Sequence, residues 1–325
     1  MRESTALRLT IGVLWITATI AAVIYAWRKS IPADVAIPAG AAFLAEGAFY
    51  VAAGFASVRE WLSERPGRLT GACWLAASGM LPYLIYCAAP GRFSLAGFAI
   101  LAAVAVLASF WFVVLPHRPW ADILYLSIFA AVLISGVMRR VYPPVAEKAP
   151  VDILGHLALI HMGVVGVLGF RRLPGVGFGF IPSRGEWSAG VRNFLLFLVP
   201  MLAIGIGLGF ARPRAVDWST VLPTTVGTFF AFLWVVALSE ELFFRGMLLP
   251  LAIKLFSNRW AGLIATSAVF GLCHLTFRQF PNWNFALLAG LAGLFYGRAF
   301  LETQSVRAAM VTHALVVTVW RVFMV

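Results

Sequence analysis

Two adjacent glutamates and an arginine interrupt an otherwise apolar stretch, "VVALSEELFFRGMLL", residues 235–249. Burying an ionised carboxylate in hydrocarbon costs on the order of several kcal/mol, so each glutamate there requires a partner, a proton or a water-filled cavity. On a helix, Glu241 and Arg245 are four residues apart and share one face, in the Glu-before-Arg order that suits the helix dipole. Arg245 is therefore placed to neutralise Glu241. Glu240 points about 100° away and is less well placed for that arginine. Two neighbouring carboxylates in a poorly solvated site resist carrying charge together. The pair thus divides into one structural glutamate and one glutamate available for proton transfer. The plainer reading is an ion pair that closes a helix bundle, with the second glutamate facing interfacial water.

The histidines add to the chemistry. His274, in "AVFGLCHLTF", and His313, in "AAMVTHALVV", sit in separate apolar segments downstream of the glutamates. One histidine in such a segment is usually a satisfied packing residue, but two beside a carboxylate pair make a candidate hydrolytic site. His117 lies in the loop "PHRP", and His156 and His161 are five apart on one segment; these three read as interfacial or packing residues. Cys73, Cys87 and Cys273 have no metal-ligand spacing and imply no disulfide framework. A zinc site built from two histidines and a glutamate is an alternative, but the chain has no HExxH and Arg245 would oppose a cation at Glu241. No cofactor is expected.

The elements that hold these residues follow from composition. Hydrophobic residues make up 62% of the 325 and charged residues only 12%, which points to an integral membrane protein. The apolar runs are continuous rather than alternating, so they predict helices and not a barrel. Candidates cover about 9–27, 36–57, 69–89, 93–115, 120–138, 153–170, 189–211, 220–244, 260–277, 284–301 and 306–325, with 247–256 as half a span or a bend. The fold class is an all-α polytopic transmembrane bundle of about ten to twelve spans, and the first run reads as a retained span rather than a cleaved signal. The net charge of +12 resides in short loops beside apolar runs, where basic residues meet lipid headgroups, and gives no support to a nucleic-acid partner. The Gly-, Pro- and Arg-rich stretch from Arg171 to Arg192 separates an N-terminal module, 1–170, of about six spans and unknown role, from a C-terminal module, 193–325. Glu46, in "FLAEGAFY", is the other acid deep in an apolar run. It reads as a hydrogen-bonding partner between Gly/Ala-rich helices. A transporter would spread polar groups through many spans, which the N-terminal module does not do.

"EELFFR", Glu240 to Arg245, fits an EExxxR motif, and "FGLCH", Phe270 to His274, fits FxxxH. With "QSVRAAMVTHAL" around His313, these resemble the CPBP family of intramembrane glutamic endopeptidases, which includes the CAAX prenyl proteases and Abi-type proteins. The resemblance covers about residues 190–322. It implies that Glu240 and His274 activate water for attack on a peptide carbonyl. It also implies that Glu241 and Arg245 orient the site, that His313 stabilises the oxyanion, and that Phe270 packs beside His274. The chain departs from the family's HxxxN motif at Val317, where an amide is expected. Thr312, Thr318, Asn282 and Asn284 are the alternative donors, none at the matching position. The reading is a metal-independent intramembrane endopeptidase, whose partners are a membrane protein or a lipidated or hydrophobic peptide substrate together with membrane lipids. It is placed in a bacterial inner membrane, with 276–284 either at the site mouth or as an interfacial anchor. The alternatives are a non-catalytic scaffold or immunity protein of the same fold, and the zinc protease.

Overall fold

The computed structural model describes residues 3–145 and 151–324. Residues 1–2, 146–150 and 325, the last of which ends the run expected over 306–325, lie outside the described residues. Every described apolar run is helical, as a lipid-embedded backbone requires, and the chain divides into two compact units, Met1–Pro174 and Gly175–Val325.

The first unit contains α1 (Glu3–Arg28), α2 (Ala33–Ala53), α3 (Ala56–Glu64), α4 (Arg68–Tyr86), α5 (Leu95–Val114), α6 (Pro119–Ile134), α7 (Met138–Val141) and α8 (Ile153–Phe170). Its core gathers Tyr83, Tyr86, Leu101, Met138, Tyr142 and Leu154. Two of its tyrosine hydroxyls reach backbone acceptors: Tyr83 donates to the Ser94 carbonyl at 3.0 Å and Tyr86 to that of Pro143. Ser94 in turn caps α5 by accepting from the Gly97 amide at 3.2 Å.

The second unit contains α9 (Arg184–Gly207), α10 (Val221–Phe256), α11 (Arg259–Leu272), α12 (Trp283–Thr303) and α13 (Val306–Phe323). Side-chain caps fix where four of them start. Ser183 and Glu186 form a reciprocal capping box at α9, so that helix begins ahead of the run expected from 189. Asn258, Asn282 and Ser305 cap α11, α12 and α13. Close approach of α11 to α12 requires a residue without Cβ at Gly271, where an added methyl would lie 2.5 Å from the Ala286 carbonyl.

Nine helices among the described residues are long and apolar enough to cross a membrane, and α6 and α11 are shorter apolar helices. The chain is an integral multi-pass membrane protein. Besides the start of α9, two boundaries differ from the sequence expectation: the run expected over 260–277 is helical only to Leu272, and 247–256 is neither a half-span nor a sharp bend but the end of α10, which runs unbroken for 36 residues. Pro250 is accommodated because the preceding segment, Leu242–Leu248, already runs in wide i→i+5 turns. Such turns absorb the missing amide and the ring without breaking the helix.

Candidate functional site

Helix α10 carries the paired glutamates on one regular turn, Leu238–Glu241, between two wide-turn segments, Phe232–Ala237 and Leu242–Leu248. Wide turns inside helices recur at functional sites because they re-aim side chains without ending the helix. Here they flank the turn that points Glu240 and Glu241 in different directions. Glu241 is fully buried, and Glu240 retains a side-chain exposure of 32%.

Arg245 is wholly buried; both terminal nitrogens of its guanidinium are paired, while Nε has no hydrogen-bond partner among the described residues. Its Nη1 lies 3.2 Å from Glu241 Oε1 and 3.1 Å from Oε2, and its Nη2 donates to the Gly293 carbonyl at 2.9 Å. The planar group also lies over Phe270 at 4.7 Å, Tyr296 at 5.3 Å and Phe244 at 5.6 Å. Paired charge, a carbonyl and aromatic faces together offset the loss of water around a buried cation. Gly293 permits this approach, since a Cβ there would come within 3.1 Å of Arg245 Nη2 and 3.2 Å of Ser267.

His313 on α13 places Nδ1 at 2.8 Å from Glu241 Oε1, to which it donates, and its Nε2 at 3.9 Å from Glu240 Oε2. Glu241 thus holds both Arg245 and His313. Tyr296 stacks on the His313 ring, with centroids 4.6 Å apart and planes 13° from parallel. This fixes the imidazole from its face as Glu241 fixes it from its edge.

His274 ends α11. Its Nδ1 lies 2.7 Å from the Phe270 carbonyl. A carbonyl only accepts, so Nδ1 carries a proton, and in the neutral tautomer this leaves Nε2 as the acceptor. The Phe270 side chain packs against that ring at 4.7 Å, and also touches His313 at 6.0 Å and Phe244 at 4.9 Å. The four-residue spacing of phenylalanine and histidine therefore acts twice, through the carbonyl and through the ring.

Glu240, Phe270, His274 and His313 all line one cavity of about 250 Å³, walled otherwise mostly by apolar side chains from α9 to α13. Glu240 Oε2 is buried, yet it has no hydrogen-bond partner among the described residues. A carboxylate oxygen in that condition is costly unless something transient occupies it. Among the described residues, no group of three or more His, Cys, Asp or Glu is arranged to hold a metal ion.

Among the cavity-lining residues that escaped the sequence reading are Tyr296 and Arg321. The signal for Tyr296 was its position three residues after Gly293, on one helix face. For Arg321 it was the i, i+4, i+8 series His313, Val317, Arg321 along α13. Val317 itself lines the cavity. None of the four alternative donors does: Thr312 donates to the Gly190 carbonyl, Thr318 to that of Ala314, Asn282 caps α12 and Asn284 is exposed. The segment 276–284 contributes Phe277 to the cavity wall, while Phe280 and Trp283 are exposed.

Outside this unit, His161 is not interfacial. It is buried in α8, with Nδ1 2.7 Å from Glu46 Oε1, which places Glu46 as a polar link between α2 and α8.

Residues 222–319 match the family described as type II CAAX prenyl endopeptidase Rce1-like. The C-terminal module thus carries a domain of this membrane endopeptidase family, within the CPBP group. No curated protein and no solved structure matches the chain.

Proposed function

We propose that the C-terminal module is a metal-independent glutamic endopeptidase that hydrolyses a peptide bond within or next to the membrane. The observation that carries this reading is Glu240 Oε2: buried, without a hydrogen-bond partner among the described residues, and sharing one cavity with His274 and with His313, whose Nε2 lies 3.9 Å away. Water held between Glu240 and His274 loses a proton to the carboxylate as its oxygen attacks the carbonyl carbon. The proton then passes to the leaving amine, and the C–N bond breaks. His313 donates from Nε2 to the oxyanion. A donor already in place counts most in a water-poor site, where charge develops on the oxyanion. Glu241 and Arg245 are positioning residues. They orient His313 and close the buried charge cluster.

Substrates are membrane proteins or hydrophobic or lipidated peptides, reached through the surrounding lipid, and the bacterial inner membrane is the proposed location. The test is cleavage of a panel of membrane-tethered reporter peptides by purified protein, comparing wild type with Glu240→Gln, with and without a strong chelator. Cleavage that survives chelation and disappears in Glu240→Gln is the expected result. Loss on chelation with recovery on zinc addition would replace this mechanism by a metalloprotease. Absence of cleavage across the panel favours a scaffold or immunity role, for which Val317 at the motif position is the supporting observation.

A further inference from the structure

Arg321 is the cavity-lining residue that the proposed chemistry leaves without a task. It is exposed on the last turn of α13, its guanidinium lies 5.8 Å from the Phe232 ring centroid across the cavity, and no carboxylate among the described residues is within ion-pair distance. The other acids of this unit are committed elsewhere. Glu186 pairs with Arg307, and Glu302 with Arg192 and Arg298. Asp217 accepts from Ser219 Oγ at 2.7 Å and from the Ser219 amide at 3.0 Å, which holds its carboxyl below the usual range.

The surroundings add positive charge. The segment after α9 is pinned to the end of α13 by a backbone bridge between Pro213 and Met324 and by the Arg214 amide donating to the Phe323 carbonyl at 2.8 Å. This sets the backbone of Arg212 and Arg214 beside the same end of the helix. An unpaired guanidinium at the edge of an apolar cavity is a recognition site for a carboxylate, with which it makes charge-assisted, bidentate contacts.

We propose that Arg321 is a specificity-determining residue that pairs with a carboxylate of the bound peptide. The inference rests on the peptidase reading of this cavity. Its geometry also gives a spacing. Glu240 meets His313 at one level, and Phe232 meets Arg321 at another, eight residues away on both α10 and α13. Eight helical residues rise about 12 Å, the reach of about three to four residues of extended peptide. A carboxylate that far from the scissile bond would meet the guanidinium. It can come from a free C-terminus or from an acidic side chain.

The experiment uses full-length protein in nanodiscs of zwitterionic lipid and, separately, of lipid with an anionic fraction. The probes are labelled reporter peptides with a free C-terminal carboxylate, with an amidated C-terminus, and with an amidated C-terminus plus a glutamate or a lysine at the same spacing. Cleavage gives KM and kcat, and fluorescence anisotropy with Glu240→Gln protein gives Kd without turnover. Expected is about tenfold tighter binding of carboxylate-bearing peptides than of neutral ones, seen in KM and Kd with kcat little changed. Arg321→Gln should abolish that preference, and Arg321→Glu should transfer it to the lysine peptide. The free-acid and glutamate arms identify which carboxylate is read.

Retention of the preference in Arg321→Gln overturns the inference and leaves the peptidase reading in place. A loss in Arg321→Gln that is equal for all peptides and confined to anionic lipid overturns it in favour of a headgroup contact. Undiminished cleavage by Glu240→Gln overturns the role proposed for Glu240 as the base, while the peptide preference still decides the recognition claim. If the wild type cleaves nothing, the Kd values still decide the recognition claim, and equal Kd for charged and neutral peptides refutes it.

Discussion

The two units each bury a carboxylate against a histidine, and they resolve the cost in opposite ways. In the first, Glu46 is fully buried and joined to His161 Nδ1 at 2.7 Å, while His161 Nε2 lies 3.1 Å from Ser78 Oγ. The sequence of hydroxyl, imidazole and carboxylate faces no cavity: the Ser78 hydroxyl donates to the Leu75 carbonyl at 2.7 Å and so accepts from His161 Nε2, and Glu46 bonds through Oε1 alone, its Oε2 being buried without a hydrogen-bond partner among the described residues. The three groups tie α2, α4 and α8 together. In the second unit, Glu241 takes the paired role towards Arg245 and His313, and an adjacent Glu240 is left over, a third exposed and facing a cavity. A buried acid with one partner makes a crosslink. A second acid beside an already satisfied one makes a site.

Replacing the residues that differ between the units should separate structure from chemistry. The largest effect is expected at Glu240. Glu240→Gln should lower kcat by about 100- to 10,000-fold, the range for loss of a general base. The thermal transition should stay nearly fixed, since Glu240 Oε2 has no hydrogen bond to lose. A large drop in stability with this variant would erase the distinction from Glu46. Next is Arg245→Met, which leaves Glu241 as a buried charge with only His313 to compensate. Breaking such a pair costs about 3–5 kcal/mol, so urea unfolding in mixed micelles should shift strongly, together with a loss of cleavage that addition of guanidinium does not restore. Smaller is Glu46→Leu, which orphans His161 Nδ1 and should cost about 1–3 kcal/mol. With stability restored by lower temperature, its kcat should match wild type. A kcat effect comparable with that of Glu240→Gln would give the first unit a part in the chemistry.

The candidate site of the second unit was legible in the sequence because its residues are costly to bury. Glutamates, an arginine and histidines stand out in apolar runs, and the four-residue spacings Glu241–Arg245 and Phe270–His274 are local in a helix. The fold class was legible for the same reason, since continuous hydrophobic runs leave only helices. What the sequence hid depends on contacts between distant segments. Tyr296 is an ordinary aromatic in its span until α12 brings it over His313. His161 and Glu46, 115 residues apart, give no local sign of their bond. Arg321 reads as an interfacial arginine until the cavity is formed around it. The wide turns of α10 had no clear sequence sign either, so the run 247–256 was read as separate from the span it completes.

Val317→Asn sharpens the comparison from the other side, by adding to the open site rather than dismantling it. Val317 lies one turn beyond His313 on the same face and already lines the cavity, so an amide there points into the space that the tetrahedral intermediate would occupy. Asparagine is close to valine in size, and its cost in stability is limited to exchanging one apolar wall position for a polar group that water in the cavity can satisfy. If His313 is the sole oxyanion donor, a second donor should raise kcat by about tenfold, equivalent to about 1.4 kcal/mol, with KM unchanged because the interaction exists only in the transition state. The same substitution in Glu240→Gln should have no effect, since an oxyanion donor has nothing to stabilise when water is not activated. A fall in kcat in Val317→Asn, with binding intact, would show that the apolar wall at this position excludes water from His313 and that the departure from the family motif is part of how this cavity works.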